Sequence, residues 1–173
     1  MSGTGRLGTT MKITSGLLSL LVLAMAGASP MPAQICGPDV KHSTKAVENK
    51  SPLETSPPAD KALIYVLAPT NEAGNKQMKL AADRSWVGVN LRHTYFVTAL
   101  APGSHEFCSK VGSGRVSDLV ARLNLNVEAG KSYFILQHAT VSPFSMSSTL
   151  EEVSAEDAAR LLKKCKRIEF SQK

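Results

Sequence analysis

The part of the sequence that most restricts the fold is residues 61–153, where short apolar runs alternate with clusters of turn residues. The run KALIYVLA stops at Pro69, and the segment DLVARLNLNV alternates apolar and polar residues over most of its length. Short runs rich in β-branched and aromatic residues form strands more readily than helices. About seven such runs predict a mainly β domain over 61–153, an antiparallel β-sandwich, in preference to alternating βαβ units.

The alternation also predicts which side chains form the core, because alternate residues of a strand point to one face. The residues that we expect to be mostly buried are Ile64, Val66, Phe96, Phe107, Leu123, Leu125, Phe134 and Leu136. In the stretch LAPGSHEFCSK, Pro102 and Gly103 predict a tight turn that joins the two strands of a hairpin. On the returning strand, Phe107 is expected to face inward and Cys108 outward.

Residues 154–173 predict a C-terminal amphipathic helix followed by a tail. The segment SAEDAARLLKKC begins with Ser154 and has Asp157 three residues later, which is a variant of the capping box. The apolar residues that share one helical face are Ala158, Leu161, Leu162 and Cys165. Since such a stripe must be buried, we expect the helix to pack on a sheet.

Residues 1–28 have the three parts of a secretory signal peptide. Lys12 precedes the apolar run 17–28, which ends in the small residues Ala-Gly-Ala. This run has twelve residues, whereas a membrane-spanning helix needs about 20. We therefore expect cleavage near Ser29, no transmembrane span in the mature chain, and a flexible N-terminal tail over 29–60, which is rich in Pro, Ser, Lys and Glu.

Cys36 follows the leader closely, but lipid attachment is not expected. Gln34 and Ile35 precede this cysteine, where the lipidation motif needs a small residue. The sequence therefore predicts an exported protein, periplasmic or secreted, that is not a lipoprotein.

The charge of the chain gives only a weak indication of a partner. Without Arg6 and Lys12, 18 basic and 14 acidic residues remain, a net charge of +4. The cluster KKCKR at 163–167 is expected to be a solvated helix end, where the helix dipole favours cations. A nucleic-acid-binding protein would need a basic stripe or a recognisable module, so we expect no nucleic-acid partner.

Three cysteines follow the leader: Cys36, Cys108 and Cys165. In an exported protein this number favours one disulfide and one remaining thiol. There is no CxxC pair, so a structural zinc site is not expected. Cys108 can pair with Cys36 or with Cys165, and the residues by themselves leave both pairings open.

Four histidines are candidates for chemistry: His42, His93, His105 and His138. They form no HxH or HExxH pattern, although His93 and His105 are expected to flank one hairpin and to be able to approach across it. No GxSxG nucleophile elbow is present. The sequence thus predicts no catalytic, metal-binding or cofactor-binding residue, no cofactor, and a protein that is not an enzyme.

Five motifs occur in a recognisable order along the chain: KALIYV at 61–66, VG at 87–88, YF at 95–96, PGSH at 102–105 and AGKSYF at 129–134. Over about residues 59–162 the chain resembles an exported bacterial family, domain of unknown function family 2846. The NLRH segment at 90–93 departs from the looser turn of that family. The resemblance implies a β-sandwich similar to carboxypeptidase-regulatory-like or PEGA-type modules, and no known activity, cofactor or catalytic residue. It also implies the pairing of Cys36 with Cys108, because an early Cys-Gly-Pro and a cysteine in the PGxH strand occur together in the family.

These observations predict a non-enzymatic accessory or interaction module of the bacterial cell envelope, with an envelope protein or surface component as its partner. An alternative is a small-ligand or carbohydrate-binding module that uses the loops 69–77 and 139–149. Trp86 would then be the stacking residue. A third class, a hydrolytic enzyme, would need a convergent cluster of histidine, acid and nucleophile.

Overall fold

The computed structural model describes residues 36–38, 42–47, 56–71, 73–112, 120–141 and 146–172. The predicted leader, residues 1–28, and its cleavage site lie outside these ranges. Within them the chain forms ten strands and one helix. The elements are β1 (His42–Ala46), β2 (Ala62–Ala68), β3 (Met78–Ala82), β4 (Ser85–Asn90), β5 (Thr94–Leu100), β6 (Gly103–Val111), β7 (Ala121–Val127), β8 (Ser132–Val141), β9 (Met146–Glu152), α1 (Ala155–Leu162) and β10 (Lys166–Gln172). The predicted mainly β class is confirmed, with a six-stranded and a four-stranded sheet.

The six-stranded sheet has the order β1-β10-β5-β2-β8-β9. Every residue of β2 is buried, because this apolar run has packing partners on both faces of the sheet. β2 pairs antiparallel with β5 but parallel with β8, and β10 pairs parallel with β5. The expectation of a purely antiparallel arrangement is therefore wrong. The chain crosses to the other sheet after β2 and again after β5, and β8 then returns parallel to β2.

The four-stranded sheet, β4-β3-β6-β7, is antiparallel throughout. The β3–β4 hairpin closes through Asp83 and Arg84, whose φ angles are 49° and 65°. Two successive positive φ values are the signature of a type I′ turn, which fits the twist of a two-residue hairpin. The N–H of Asp83 also donates to the C=O of Glu106, 2.9 Å away, and so ties this turn to β6.

The Pro102–Gly103 turn does not close a hairpin, contrary to the prediction. β5 pairs with β2 and β10, whereas β6 pairs with β3 and β7 in the other sheet. Gly103 has a φ of 137°, a value that glycine adopts at little cost. The turn therefore carries the chain from one sheet to the other.

The main hydrophobic core receives side chains from both sheets. Its residues are Ala62, Ile64, Val66, Leu80, Ala82, Phe96, Phe107, Leu125, Val127, Ile135 and Ile168. Phe107 is fully buried in it, as predicted, and Leu123 packs on it only partly buried. Phe134 and Leu136 are also buried, but they face the opposite side of the six-stranded sheet. Both faces of β8 are covered, so that the alternation of the sequence could not tell which face was the main core.

The helix α1 covers this opposite side of the six-stranded sheet. Ser154 is its N-cap, and the Ser154 hydroxyl accepts from the N–H of Asp157 at 3.1 Å. Ala158 and Leu162 are buried against Tyr65 and its neighbours on the sheet. Among the described residues, no helix is long and apolar enough to cross a membrane.

Two segments that were expected to be tails contain strands. β1 lies within 29–60, and β10 follows α1 within 154–173. The two strands pair antiparallel over five residues, from His42 with Gln172 to Ala46 with Ile168. With these two, the described residues form ten strands, whereas about seven were expected. β10 was missed because only Ile168 and Phe170 in it are apolar, too few for a strand signal.

Candidate functional site

Residues 36–38, called the strap below, lie against the outer face of the four-stranded sheet. Cys36 and Cys108 form a disulfide whose Cα atoms are 5.2 Å apart, and both residues are only 2% exposed. Cys108 points away from the main core, since it lies in a cluster with Cys36, Ala81 and Trp86 while Phe107 lies in the main core. Of the two pairings that the residues allow, the structure contains that of Cys36 with Cys108.

Trp86 does not offer a surface for ligand stacking. Its indole Nε1–H donates to the C=O of Pro38 at 2.6 Å, and the side chain is 8% exposed. The ammonium group of Lys79 lies 5.8 Å from the ring centroid, within the range of a cation–π contact. The assignment of Trp86 as a stacking residue is corrected accordingly, because the strap and Lys79 occupy the positions that a ligand would need.

The His105 side chain is held between two acceptors at the point where β6 begins. Its Nδ1 lies 2.5 Å from Asp83 Oδ2, and its Nε2 lies 2.8 Å from the C=O of Ala101. Burial of the ring works to lower the pKa of His105, but the hydrogen bonds to Asp83 and Ala101 outweigh it, so the pKa lies above its usual value. In the other direction, the hydrogen bond from His105 holds the pKa of Asp83 below its usual value.

This arrangement gives His105 a structural role, because both of its ring nitrogens are hydrogen-bonded within the protein. Both ring nitrogens point at acceptors, so both must carry protons to satisfy them. A general base needs a ring nitrogen with a free lone pair facing its substrate. The second oxygen of Asp83 accepts from the N–H of Glu106 at 3.0 Å, which ties the β3–β4 turn to β6. The pair therefore joins the inter-sheet turn, the type I′ turn and β6.

The other histidines are separated from His105. His93 is exposed in the β4–β5 turn, at the opposite end of β5, so the expected approach of His93 and His105 is wrong. His138 lies on β8 opposite Thr149, and His42 begins β1. Within the described ranges, no group of three or more His, Cys, Asp or Glu residues is placed to hold a metal ion.

A chain of hydrogen-bonded polar side chains, which no sequence pattern predicted, lies inside the protein. Asn90 Nδ2 donates to Gln137 Oε1 at 3.0 Å, and Gln137 Nε2 donates to Ser109 Oγ at 2.7 Å. The Ser109 hydroxyl is hydrogen-bonded to that of Ser148, and the Thr94 hydroxyl lies 3.1 Å from Asn90 Oδ1. These residues come from both sheets and all are buried. Such a network fixes how two sheets face each other, because any other register would leave buried polar groups without partners.

A cavity of about 250 Å³ lies where β10 separates from β5. The β10–β5 ladder covers only two residue pairs, Lys166 with Thr94 and Arg167 with Tyr95, and from Ile168 onward β10 pairs with β1. We call this opening the β5–β10 cleft. Its lining residues are Val87, Phe96, Val97, Arg167, Ile168, Glu169 and Phe170.

Gly88 brings β4 close enough to form one wall of this cleft. A Cβ atom at Gly88 would lie 2.2 Å from the ring of Phe96, so only glycine lets that ring approach the strand this closely. Phe96 in turn belongs to the main core. Two of the residues that line the β5–β10 cleft, Phe96 and Ile168, are therefore held in place by the main core.

The remaining cysteine, Cys165, is a buried thiol beneath the end of α1. Burial raises its pKa to about 11. Since the thiolate is the reactive form of cysteine, this residue packs as a small apolar group.

Comparison with known proteins adds nothing further about the chain: no protein-family model, no curated protein and no solved structure matches it.

Proposed function

We propose that this protein is an exported, non-enzymatic β-sandwich that serves as an accessory or interaction module of the bacterial cell envelope. The observation that carries the proposal is the buried disulfide between Cys36 and Cys108. Disulfides persist in oxidising compartments and are rare in the bacterial cytosol. Together with the signal peptide that the sequence predicts, the disulfide supports a periplasmic or secreted location.

The proposed sandwich arrangement is supported by the shared core. Ile64 and Phe96 of the six-stranded sheet lie in the same buried cluster as Leu80 and Phe107 of the four-stranded sheet. Two sheets that bury their inner faces against one another form a sandwich. This architecture agrees with the resemblance to domain of unknown function family 2846, which we retain as part of the proposal.

The β5–β10 cleft supports an interaction role. β5 pairs with β2 along its whole length, but its ladder with β10 has only two residue pairs. The C=O of His93 accepts from the N–H of Lys166 on the β10 side. Because strand residues direct their backbone groups to alternate sides, those of Val97 face the cleft too. An extended segment of a partner would add hydrogen bonds to this edge and place an apolar side chain in the cavity.

Binding of a small ligand is the second candidate, and the same cavity favours it. About 250 Å³ lies just below the usual range of small-molecule sites, so the cavity suits a compact ligand. Its lining combines aromatic and aliphatic side chains with Arg167 and Glu169. This candidate rests on the cleft and no longer on Trp86.

Export is tested on protein isolated from the cell envelope. We expect an N-terminus near Ser29 and, after alkylation and digestion without reductant, a peptide in which Cys36 is linked to Cys108. A terminus at Met1 or Met11, or Cys108 recovered as a free thiol or linked to Cys165, would contradict the proposal.

The interaction role is tested by photo-crosslinking in cells. A photoreactive amino acid at Glu169, exposed beside the cleft, should give a discrete protein adduct. The same group at Lys61, exposed before β2, is the matched control and should give none. The variant Val87→Phe fills the cavity. If neither position gives an adduct, and the parent protein retains a small molecule that Val87→Phe does not, small-ligand binding replaces the interaction role.

A further inference from the structure

Two basic segments, far apart in the sequence, meet at one end of the six-stranded sheet. β10 begins at Lys166, whose N–H donates to the C=O of His93 at 2.9 Å. The β4–β5 turn that contains His93 also contains Arg92, and Lys163 and Lys164 come just before β10. The side chains of Arg92 and of all three lysines are exposed. We call the group formed by Arg92, Lys163, Lys164 and Lys166 the basic corner.

The fold, and not only the sequence, presents these lysines to solvent. Leu162 and Cys165 are 2% and 5% exposed because they pack on the six-stranded sheet. The residues between and after them therefore point outward. The chain here is fixed by the hydrogen bonds from the N–H of Lys164 to the C=O of Leu161 and from the N–H of Cys165 to the C=O of Leu162, at 2.9 and 3.0 Å.

Within the described part of the chain, the ion pairs involve cations outside the basic corner. No carboxylate among the described residues therefore pairs with the four side chains of the basic corner. Arg122 pairs with Glu106, Arg160 pairs with Asp157, Lys131 pairs with Glu128 at 2.8 Å, and His105 pairs with Asp83 at 2.5 Å. Arg92 makes one hydrogen bond of 3.4 Å, to the side chain of Asn71. A guanidinium has five N–H donors, so most of those of Arg92 remain available.

We propose that the basic corner docks the protein on an anionic membrane surface, by binding the phosphodiester headgroups of the lipids. The proposal rests on export, since an exported protein meets such headgroups and not nucleic acid. Several fixed cations at one end of a compact domain suit a flat anionic surface. Each Lys or Arg near such a surface strengthens binding by a similar, salt-sensitive increment.

The test is sedimentation of the processed chain with lipid vesicles. Vesicles of phosphatidylglycerol and phosphatidylethanolamine should bind the protein, less strongly as salt rises, and vesicles of phosphatidylcholine alone should not. Replacing Lys163, Lys164 and Lys166 by glutamine should weaken binding about 100-fold, following from about five-fold for each cation removed. A control triple variant, Lys61→Gln, Arg84→Gln and Lys131→Gln, removes the same charge from the opposite end and should bind nearly as the parent does.

The variant Arg92→Gln tests whether Arg92, in the β4–β5 turn, belongs to the same binding surface as the three lysines. If the turn and the run act as one surface, this single change should weaken vesicle binding about five-fold. All these positions are exposed, and the fluorescence of Trp86 checks that each variant is folded. Equal losses in both triple variants, unchanged binding in the lysine variant, or binding of a DNA duplex in preference to the vesicles would overturn the proposal. A retained leader would refute export and leave the vesicle result intact, so the two failures are distinguishable.

Discussion

The outer faces of the two sheets are covered in different ways. The six-stranded sheet is covered by the helix α1, which buries Ala158 and Leu162 and satisfies its own backbone hydrogen bonds. On the outer face of the four-stranded sheet, the strap packs against Trp86 and is joined to Cys108 by a disulfide. The two coverings therefore differ in kind: α1 is held by packing of its apolar face, whereas the strap has a covalent link to the sheet beneath it.

Removing the disulfide should produce the largest effect. The cysteines are 72 residues apart, and the chain-entropy model gives a stabilisation of about 4 kcal/mol for a loop of this length. The double variant Cys36→Ala, Cys108→Ala should lose about that much free energy of unfolding, measured by urea titration. Release of the strap should also expose Trp86 and shift its emission to longer wavelengths.

Trp86 is the only tryptophan of the chain, so its emission reports on the strap directly. Reductant should change the parent in the same way as the double variant. Cys165→Ala, which leaves the disulfide in place, should respond to reductant as the parent does. An unshifted emission in the reduced parent would show that packing alone holds the strap.

The helix side should lose stability through packing alone. Leu162 is 2% exposed against the six-stranded sheet, and Leu162→Ala should cost about 3 kcal/mol through lost burial and a residual cavity. The emission of Trp86 should stay unchanged in the folded state, because the strap is on the other sheet. Leu161→Ala is the matched control. It removes the same atoms from a partly buried position and should cost clearly less, and equal losses would mean that α1 is placed with the wrong face on the sheet.

A smaller effect is expected from a single methyl group under the strap. A Cβ atom at Gly37 would lie 2.9 Å from Trp86 Cε2 and 3.1 Å from the C=O of Arg84. Gly37→Ala should therefore lift the strap or displace the indole, at a cost of about 2 kcal/mol, seen as a shifted emission and a lower urea midpoint. Gly74→Ala, in an open position with a φ of 56°, should lose stability through backbone strain but leave the emission unchanged, so it separates contact with the indole from a general loss of stability. A Gly37→Ala variant with the emission and the midpoint of the parent would place the strap away from the indole.

The sequence predicted the strands within residues 61–153 but not β1 and β10, which lie outside that range. β2 and β6 carry enough apolar residues at the right spacing to be recognised locally, as does the Ser154 cap of α1. β1 and β10 have weak local signals because their strand conformation depends on pairing with each other and with β5. Strand direction is also decided by the path of the chain between sheets, and local alternation carries no information about it.

The candidate site was less accessible to sequence reasoning, for a related reason. The burial of Trp86 depends on Pro38, which is distant in the chain and meets it only in the folded state. Asn90 and Gln137 are unremarkable polar residues in the sequence, and only the packing of the two sheets brings them together. The pairing of Cys36 with Cys108 came from a family resemblance, since spacing left two possibilities open.

The last and smallest effect concerns pH and again separates the two sheets. His105 has a raised pKa in the folded protein, so its stabilisation is complete below its unfolded value of 6.5 and is lost as the pH rises through the folded value above that. Asp83 has a lowered pKa, so its contribution is present above 3.8 and is lost as the pH falls through the lower folded value. On the helix side, hydrogen bonds from Ser154 and Arg160 lower the pKa of Asp157, and this group acts only on the acid limb.

We therefore expect the parent to exceed His105→Gln in stability below pH 6.5 and the difference to shrink as the pH rises, in urea titrations across this range. A difference between parent and His105→Gln that does not change with pH would mean that the ring acts through its shape and not through its charge.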